Sequence, residues 1–125
     1  METQIIELEK KYWQAMENHD YETVKKLTLF PCMIAGKTGL QSVDESMFKK
    51  MFESVDSGKI KVLNISDVEE KLITENTTII GYVIELEMAD DKENSPMKCV
   101  CTSTWIKKNN NWVCALHTET ELSKQ

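Results

Sequence analysis

A chain of 125 residues has the length of one domain and suffices for a single sizeable core. Its 41% hydrophobic and 29% charged residues are the composition of a soluble globular protein. A net charge of −6 argues against nucleic acid or an anionic membrane surface as partner, and no apolar run approaches the roughly 20 residues of a membrane span. The opening METQIIELEKKYW is charged and helix-periodic, without the apolar stretch of a secretion signal, so a cytoplasmic location is expected.

Ile5, Leu8, Tyr12, Ala15 and Met16 recur at helical spacing, with Ile6 and Trp13 widening the apolar face and Thr3 as N-cap. Asn18-His19-Asp20 interrupts this helix, leaving His19 at its end and exposed. Asp20 caps a second, shorter helix carrying Val24 and Leu27, which Phe30-Pro31 terminates. Cys32–Ala35 reads as a short strand closed by Gly36 and Gly39. Ser42-Val43-Asp44-Glu45 has the form of a capping box, and Val43, Met47, Phe48, Met51, Phe52 and Val55 behind it predict a third helix.

From Lys59 onward the apolar period changes to two. Ile60–Ile73 predicts a long strand with a bulge near Val62-Leu63, and Glu75-Asn76 a turn. Thr77–Met88 alternates, with Ile80, Tyr82, Ile84, Leu86 and Met88 on one face. After the polar loop Ala89–Pro96, Met97–Glu119 predicts a hairpin about Asn109-Asn110, since asparagine tolerates the positive φ of a tight turn. This register pairs Lys108 with Asn111, Trp105 with Cys114 and Thr102 with His117. Cys99, Cys101, Ser103, Trp105, Trp112, Cys114 and Leu116 then share one face, and Val100, Thr102, Thr104, Ile106, Val113, Ala115 and His117 the other. Pairing Met88 with Met97 sets Glu87 opposite Lys98 and Ile84 opposite Cys101.

Helix, helix, short strand, helix and four antiparallel strands is the order of an α+β domain with helices on one face of a curved sheet. The continuously apolar face, from Ile80 through Trp105 to Leu116, is expected to be concave and covered by the helices.

Two stretches carry a family resemblance. The first is the Ile5-Ile6-x5-Trp13-x2-Met16 helix running into Asn18-His19-Asp20-Tyr21; the second is Thr104-Trp105-Ile106-Lys107-Lys108-Asn109-Asn110-Asn111-Trp112 followed by Leu116-His117. The chain resembles the nuclear transport factor 2-like superfamily, in its SnoaL-like and ketosteroid-isomerase-like branch, over nearly all its length. The resemblance implies one SnoaL-like domain, residues 1–125, with a cystatin-like, cone-shaped antiparallel sheet wrapped around the N-terminal helices. It also implies a pocket under the helices and a homodimer through the convex sheet face.

Tyr12 precedes Asp20 where the steroid isomerases place an oxyanion-stabilising tyrosine. Their general-base aspartate, however, would fall on Gly36 beside Ala35, and their neutral carboxylic acid on a strand that offers only thiols and hydroxyls. Lacking a base, the chain is not expected to run the steroid-isomerase mechanism.

His117 and Glu119 share a strand face, a carboxylate-oriented histidine being a recognisable general base. By the register above that face is convex, so interface packing is the expected role. Cys32, Cys99, Cys101 and Cys114 are expected as buried reduced thiols, because strand neighbours on one flat face converge poorly on a tetrahedral metal. Glu85 and Glu87 read as a solvated edge with cross-strand charge pairing.

The reading that follows is a binding domain for an apolar or aromatic small molecule, using Tyr12, Trp13, Met16, Phe52, Tyr82, Cys101 and Trp105, with Phe48 and Met88 beside them. It requires no cofactor and no metal. The alternatives are a cyclase, isomerase or dehydratase of the same family using Tyr12, Tyr82 or His117, and a homo-oligomeric assembly module that uses the convex face.

Overall fold

Helix α1 spans Ile5–Glu17 and α2 spans Tyr21–Lys26 in the computed structural model, which describes residues 5–37, 39–54, 60–89 and 96–122. They are followed by β1 Thr28–Gly36, β2 Gly39–Val43, α3 Glu45–Glu53, β3 Ile60–Thr74, β4 Thr77–Met88, β5 Met97–Lys108 and β6 Asn111–Glu121. The six strands form one sheet in the order β2-β1-β6-β5-β4-β3. Four of the five pairings are antiparallel; β1 lies parallel to β6, the return that carries the first half of the chain back onto the sheet.

Local chemistry sets most boundaries. Asp20 caps α2, its carboxylate accepting the Thr23 N–H at 3.3 Å and the Thr23 hydroxyl at 2.6 Å. The helix ends at Leu27, earlier than Phe30-Pro31 suggested, and Thr28 ties back to the Val24 carbonyl at 2.6 Å. Pro31 instead sits inside β1, after a cis peptide bond. The cap of α3 is Asp44, accepting from Met47 N–H at 2.8 Å; Ser42, expected in that role, belongs to β2. The predicted Thr3 cap and Val55 lie outside the described residues. Asn109 and Asn110 both take positive φ, 52° and 66°, as a two-residue hairpin turn with right-handed strand twist requires.

The core divides in two. Between α1 and the concave sheet lie Ile5, Trp13, Ile80, Tyr82, Ile84, Leu86, Cys101 and Trp105. Between α2, α3 and the β1–β2 hairpin lie Ala15, Val24, Val43, Phe48 and Phe52. Alternation along β4 buries Ile80, Ile84 and Leu86, each contributing up to about 1.5–3 kcal/mol.

Two registers differ from expectation. β4 meets β5 with Leu86 opposite Met97, Ile84 opposite Cys99 and Glu85 opposite Lys98, a slip of two residues. A slip of two preserves every face, so the apolar pattern alone does not distinguish the alternatives. Glu87 pairs with Lys61 rather than Lys98. The second difference moves side chains across the sheet. β6 follows the predicted register through Trp105–Cys114, then shifts, so that Thr104 faces Leu116, Ser103 faces His117 and Cys101 faces Glu119. Ala115 is the extra residue, and a single extra residue inverts the parity beyond it. His117 and Glu119, expected on the convex face, therefore point to the concave side. Leu116, expected on the concave side, joins Thr102, Thr104 and Thr118 on the convex one. The bulge anticipated at Val62-Leu63 is present, with Leu63 skipped between Val62 and Asn64.

Candidate functional site

The space between the two core clusters is a cavity of about 310 Å³. Helix α1 contributes Tyr12, Trp13 and Met16 to its wall, and α3 contributes Phe48, Met51 and Phe52. Ile34, Leu86, His117 and Glu119 floor it from the sheet. A larger, more open groove of about 590 Å³ beside the Asn109-Asn110 turn shares none of these residues; Leu8, Leu27, Leu29, Trp112 and Val113 line it together with three lysines and three asparagines. His19, expected in solvent, instead lines the cavity, stacked on Phe52 at 4.4 Å with Nε2 2.9 Å from the Phe52 carbonyl oxygen.

Tyr12, Trp13, Met16, Phe52, Phe48 and Met88 are thus brought together around one space. Tyr82, Cys101 and Trp105 are not cavity residues; each is buried beneath it in the core. What holds them is a residue that periodicity concealed. Glu9 is 2% exposed, one turn from Ile5 and one turn from Trp13 on the inward stripe of α1. Its Oε1 accepts the Tyr82 hydroxyl, and the Ser103 hydroxyl lies 3.3 Å from it. Its Oε2 accepts the Trp105 indole N–H at 2.6 Å. Trp13 donates to the Tyr82 oxygen at 2.7 Å, leaving the Tyr82 proton for Glu9. Burial, followed by the nearby Glu9 charge, pushes the Tyr82 hydroxyl far above its ordinary pKa. Glu9 reads as a surface glutamate among Glu7, Lys10 and Lys11; its only signal is its helical phase between two large apolar residues.

Ser103 joins this cluster to the cavity. Its hydroxyl lies 2.8 Å from His117 Nδ1, while His117 Nε2 lies 2.9 Å from Glu119 Oε1. Two proton arrangements satisfy this chain. With Ser103 donating to Glu9, it accepts from Nδ1–H, and His117 is an imidazolium that also donates to Glu119. With Ser103 turned toward Nδ1, His117 is neutral and its proton stays on Nε2, facing Glu119. Burial pulls the His117 pKa down, but the hydrogen bond and charge of Glu119, followed by Glu9, carry it above the ordinary histidine value. Tyr12, its ring 6.3 Å from the His117 ring, has its hydroxyl pushed well up by burial first, then by the Cys114 and Cys32 thiols, and after them by Glu9 and Glu119.

The chain matches the family model of the calcium/calmodulin dependent protein kinase II association domain over residues 1–121. It belongs to that family. The fold is shared with an NTF2-like protein from Cytophaga hutchinsonii at TM-score 0.76 and 21% identity, covering 94% of this chain and 95% of that one. The association domain of C. elegans CaMKII superposes at TM-score 0.76 and 16% identity, covering 92% and 91%. A cystatin-like protein of unknown function from Nostoc punctiforme superposes at TM-score 0.77 and 11% identity, covering 96% and 90%. No curated protein sequence matches. The expected nuclear transport factor 2-like, cystatin-like fold is therefore the fold of this association-domain chain, while nothing singles out the SnoaL-like branch.

Within this association-domain fold, Cys101 Sγ, a His117 ring nitrogen and a Glu119 oxygen lie within 4.8 Å of one another. Burial, then the Glu119 charge, pushes the Cys101 thiol well up, which disfavours the thiolate that a metal requires. All four cysteines are buried; the Cys32 thiol donates to the Met33 carbonyl at 3.8 Å and the Cys114 thiol to the Leu116 carbonyl at 3.3 Å.

Proposed function

We propose that this association-domain protein binds an apolar or aromatic small molecule in the cavity between α1, α3 and the concave sheet. The observation that carries the reading is the cavity itself: about 310 Å³ of space walled by aromatic and methionine side chains, with polar groups at His117 and Glu119 and at His19. That is the composition of a ligand site, with adaptable apolar walls and few orienting polar groups. The test is ligand-detected NMR with 2-phenylethanol against the protein and its Met51→Trp variant. Met51 is 45% exposed, so a larger ring there is accommodated at the rim while narrowing the cavity. Binding lost in the variant supports the reading; equal binding to both, or none to either, overturns it.

A second reading is self-association through the convex face, and the two are compatible. From β4 to β6 the rows Val83–Val100, Gly81–Thr102–Thr118, Ile79–Thr104–Leu116 and Ile106–Val113 carry no charge, Glu69 and Lys71 of β3 border them, and Met33 beside Leu116 is 46% exposed. An uncharged patch of this kind on a solvated sheet marks an interface. The C. elegans relative is itself described as an association domain. Replacing Leu116 with Lys is expected to shift native mass spectra from an oligomer to a monomer. A native chain that is monomeric at micromolar concentration contradicts the reading.

A further inference from the structure

Building on the ligand-binding reading, we infer that the cavity selects an organic cation: an aromatic or alkyl amine whose ammonium sits against Glu119 and whose apolar body fills the space between α1 and α3. Charge carries the argument. Among the described residues no lysine lines the cavity, and all fifteen basic side chains of the sequence are lysines, none arginine. The acidic side is present twice. Glu119 forms part of the wall, and Glu9 lies behind it among neutral donors only. Among the described residues, the cavity's groups that can carry a positive charge are two histidines: His117, on Glu119, and His19, whose Nε2 lies 2.9 Å from the Phe52 carbonyl oxygen.

Glu119 is also available. Its side chain is 42% exposed, and among the described residues its only hydrogen bond runs through Oε1 to His117. Oε2 is left to meet a ligand donor. An anionic ligand would have to displace that carboxylate or lie against it, at a cost in like-charge repulsion. A neutral alcohol can donate one hydrogen bond to the carboxylate but brings no charge to it.

The opposite wall suits the same chemistry. Tyr12, Trp13, Phe48 and Phe52 surround the space, and the faces of aromatic rings attract a cation through their quadrupole. The attraction strengthens where water is displaced, and organic ammonium groups are the ligands that such walls combined with one carboxylate recognise. Histidine fits the scheme as a competitor for the same carboxylate, holding Oε1 while the ligand takes Oε2.

The experiment compares three probes of one ring and similar length: phenethylamine (cationic at pH 7), 2-phenylethanol (neutral) and phenylacetate (anionic). Dissociation constants by titration calorimetry are expected to favour the amine over the alcohol about tenfold, with phenylacetate weakest. The Glu119→Gln variant should abolish the amine's advantage over the alcohol. Raising the salt concentration should shrink the amine's advantage in the unaltered protein, a check that needs no variant. Equal affinity for amine and alcohol, or preference for phenylacetate, overturns the cation assignment and leaves the binding cavity standing. Failure of all three probes to bind overturns both.

Discussion

The Glu9 carboxylate accepts the Trp105 indole N–H at 2.6 Å, joining the first helix to the fifth strand across 96 positions of the chain. Both residues are buried, and Tyr82 and Ser103 complete the carboxylate's partners. A buried carboxylate satisfied wholly by neutral donors fixes where α1 sits on the sheet: any other docking strands two indoles, a phenol and an acid without partners.

Glu9→Gln should therefore destabilise the fold by about 2–3 kcal/mol, since it replaces the charged acceptor of the Tyr82, Ser103 and Trp105 donors with a neutral amide that has one acceptor oxygen. Urea unfolding measures this. Adding Tyr82→Phe to Glu9→Gln should cost less than the two single changes summed, because both remove parts of one network. Strict additivity would show the residues to be uncoupled.

The His117 imidazole gives stability a definite pH dependence. Its folded-state pKa is raised, so its contribution is fully present below the unfolded value of about 6.5 and fades as pH climbs through the folded one. Unfolding midpoints compared between the protein and its Glu119→Gln variant should diverge most below about pH 6.5 and approach each other at alkaline pH. A gap that widens with rising pH would reverse the assignment.

Deleting Ala115 should restore simple alternation in β6 and exchange the faces beyond it. His117 and Glu119 would move to the convex side and Leu116 inward. The expected outcome is loss of the His117–Ser103 contact, seen as a changed imidazole titration by NMR, together with a lower unfolding midpoint.

Among the described residues, the Tyr21 hydroxyl is buried without a hydrogen-bond partner, its ring 5.5 Å from that of Phe52. Tyr21→Phe should stabilise the protein by about 1 kcal/mol, because it removes an unsatisfied polar group and keeps the ring packing. Thermal unfolding provides the measurement, and a destabilised variant would reveal a partner for that hydroxyl.

Local rules made much of the fold legible. Asp20 caps α2, Asn109 and Asn110 supply the positive φ of the last hairpin, and alternation along Thr77–Met88 assigns its buried face. Each depends on side chains acting on backbone within a few residues. The cavity's aromatic wall was legible for the same reason, since Tyr12, Trp13, Met16, Phe48 and Phe52 fall on helical stripes that must face inward. Strand β2 was not, because Gly39–Val43 is short and almost wholly exposed.

What the sequence determined by itself was therefore the helices, the strands of the second half and the faces set by regular alternation. The tertiary structure alone decided which polar groups meet. Glu9 becomes a core residue only because Tyr82, Ser103 and Trp105 arrive as donors from distant strands. His117 and Glu119 become cavity residues only because one extra residue at Ala115 inverts the strand's parity. The reason is physical. Periodicity records how much apolar surface each face must bury, whereas the place of a buried charge or a bulge depends on partners that meet only after the sheet and helices have packed.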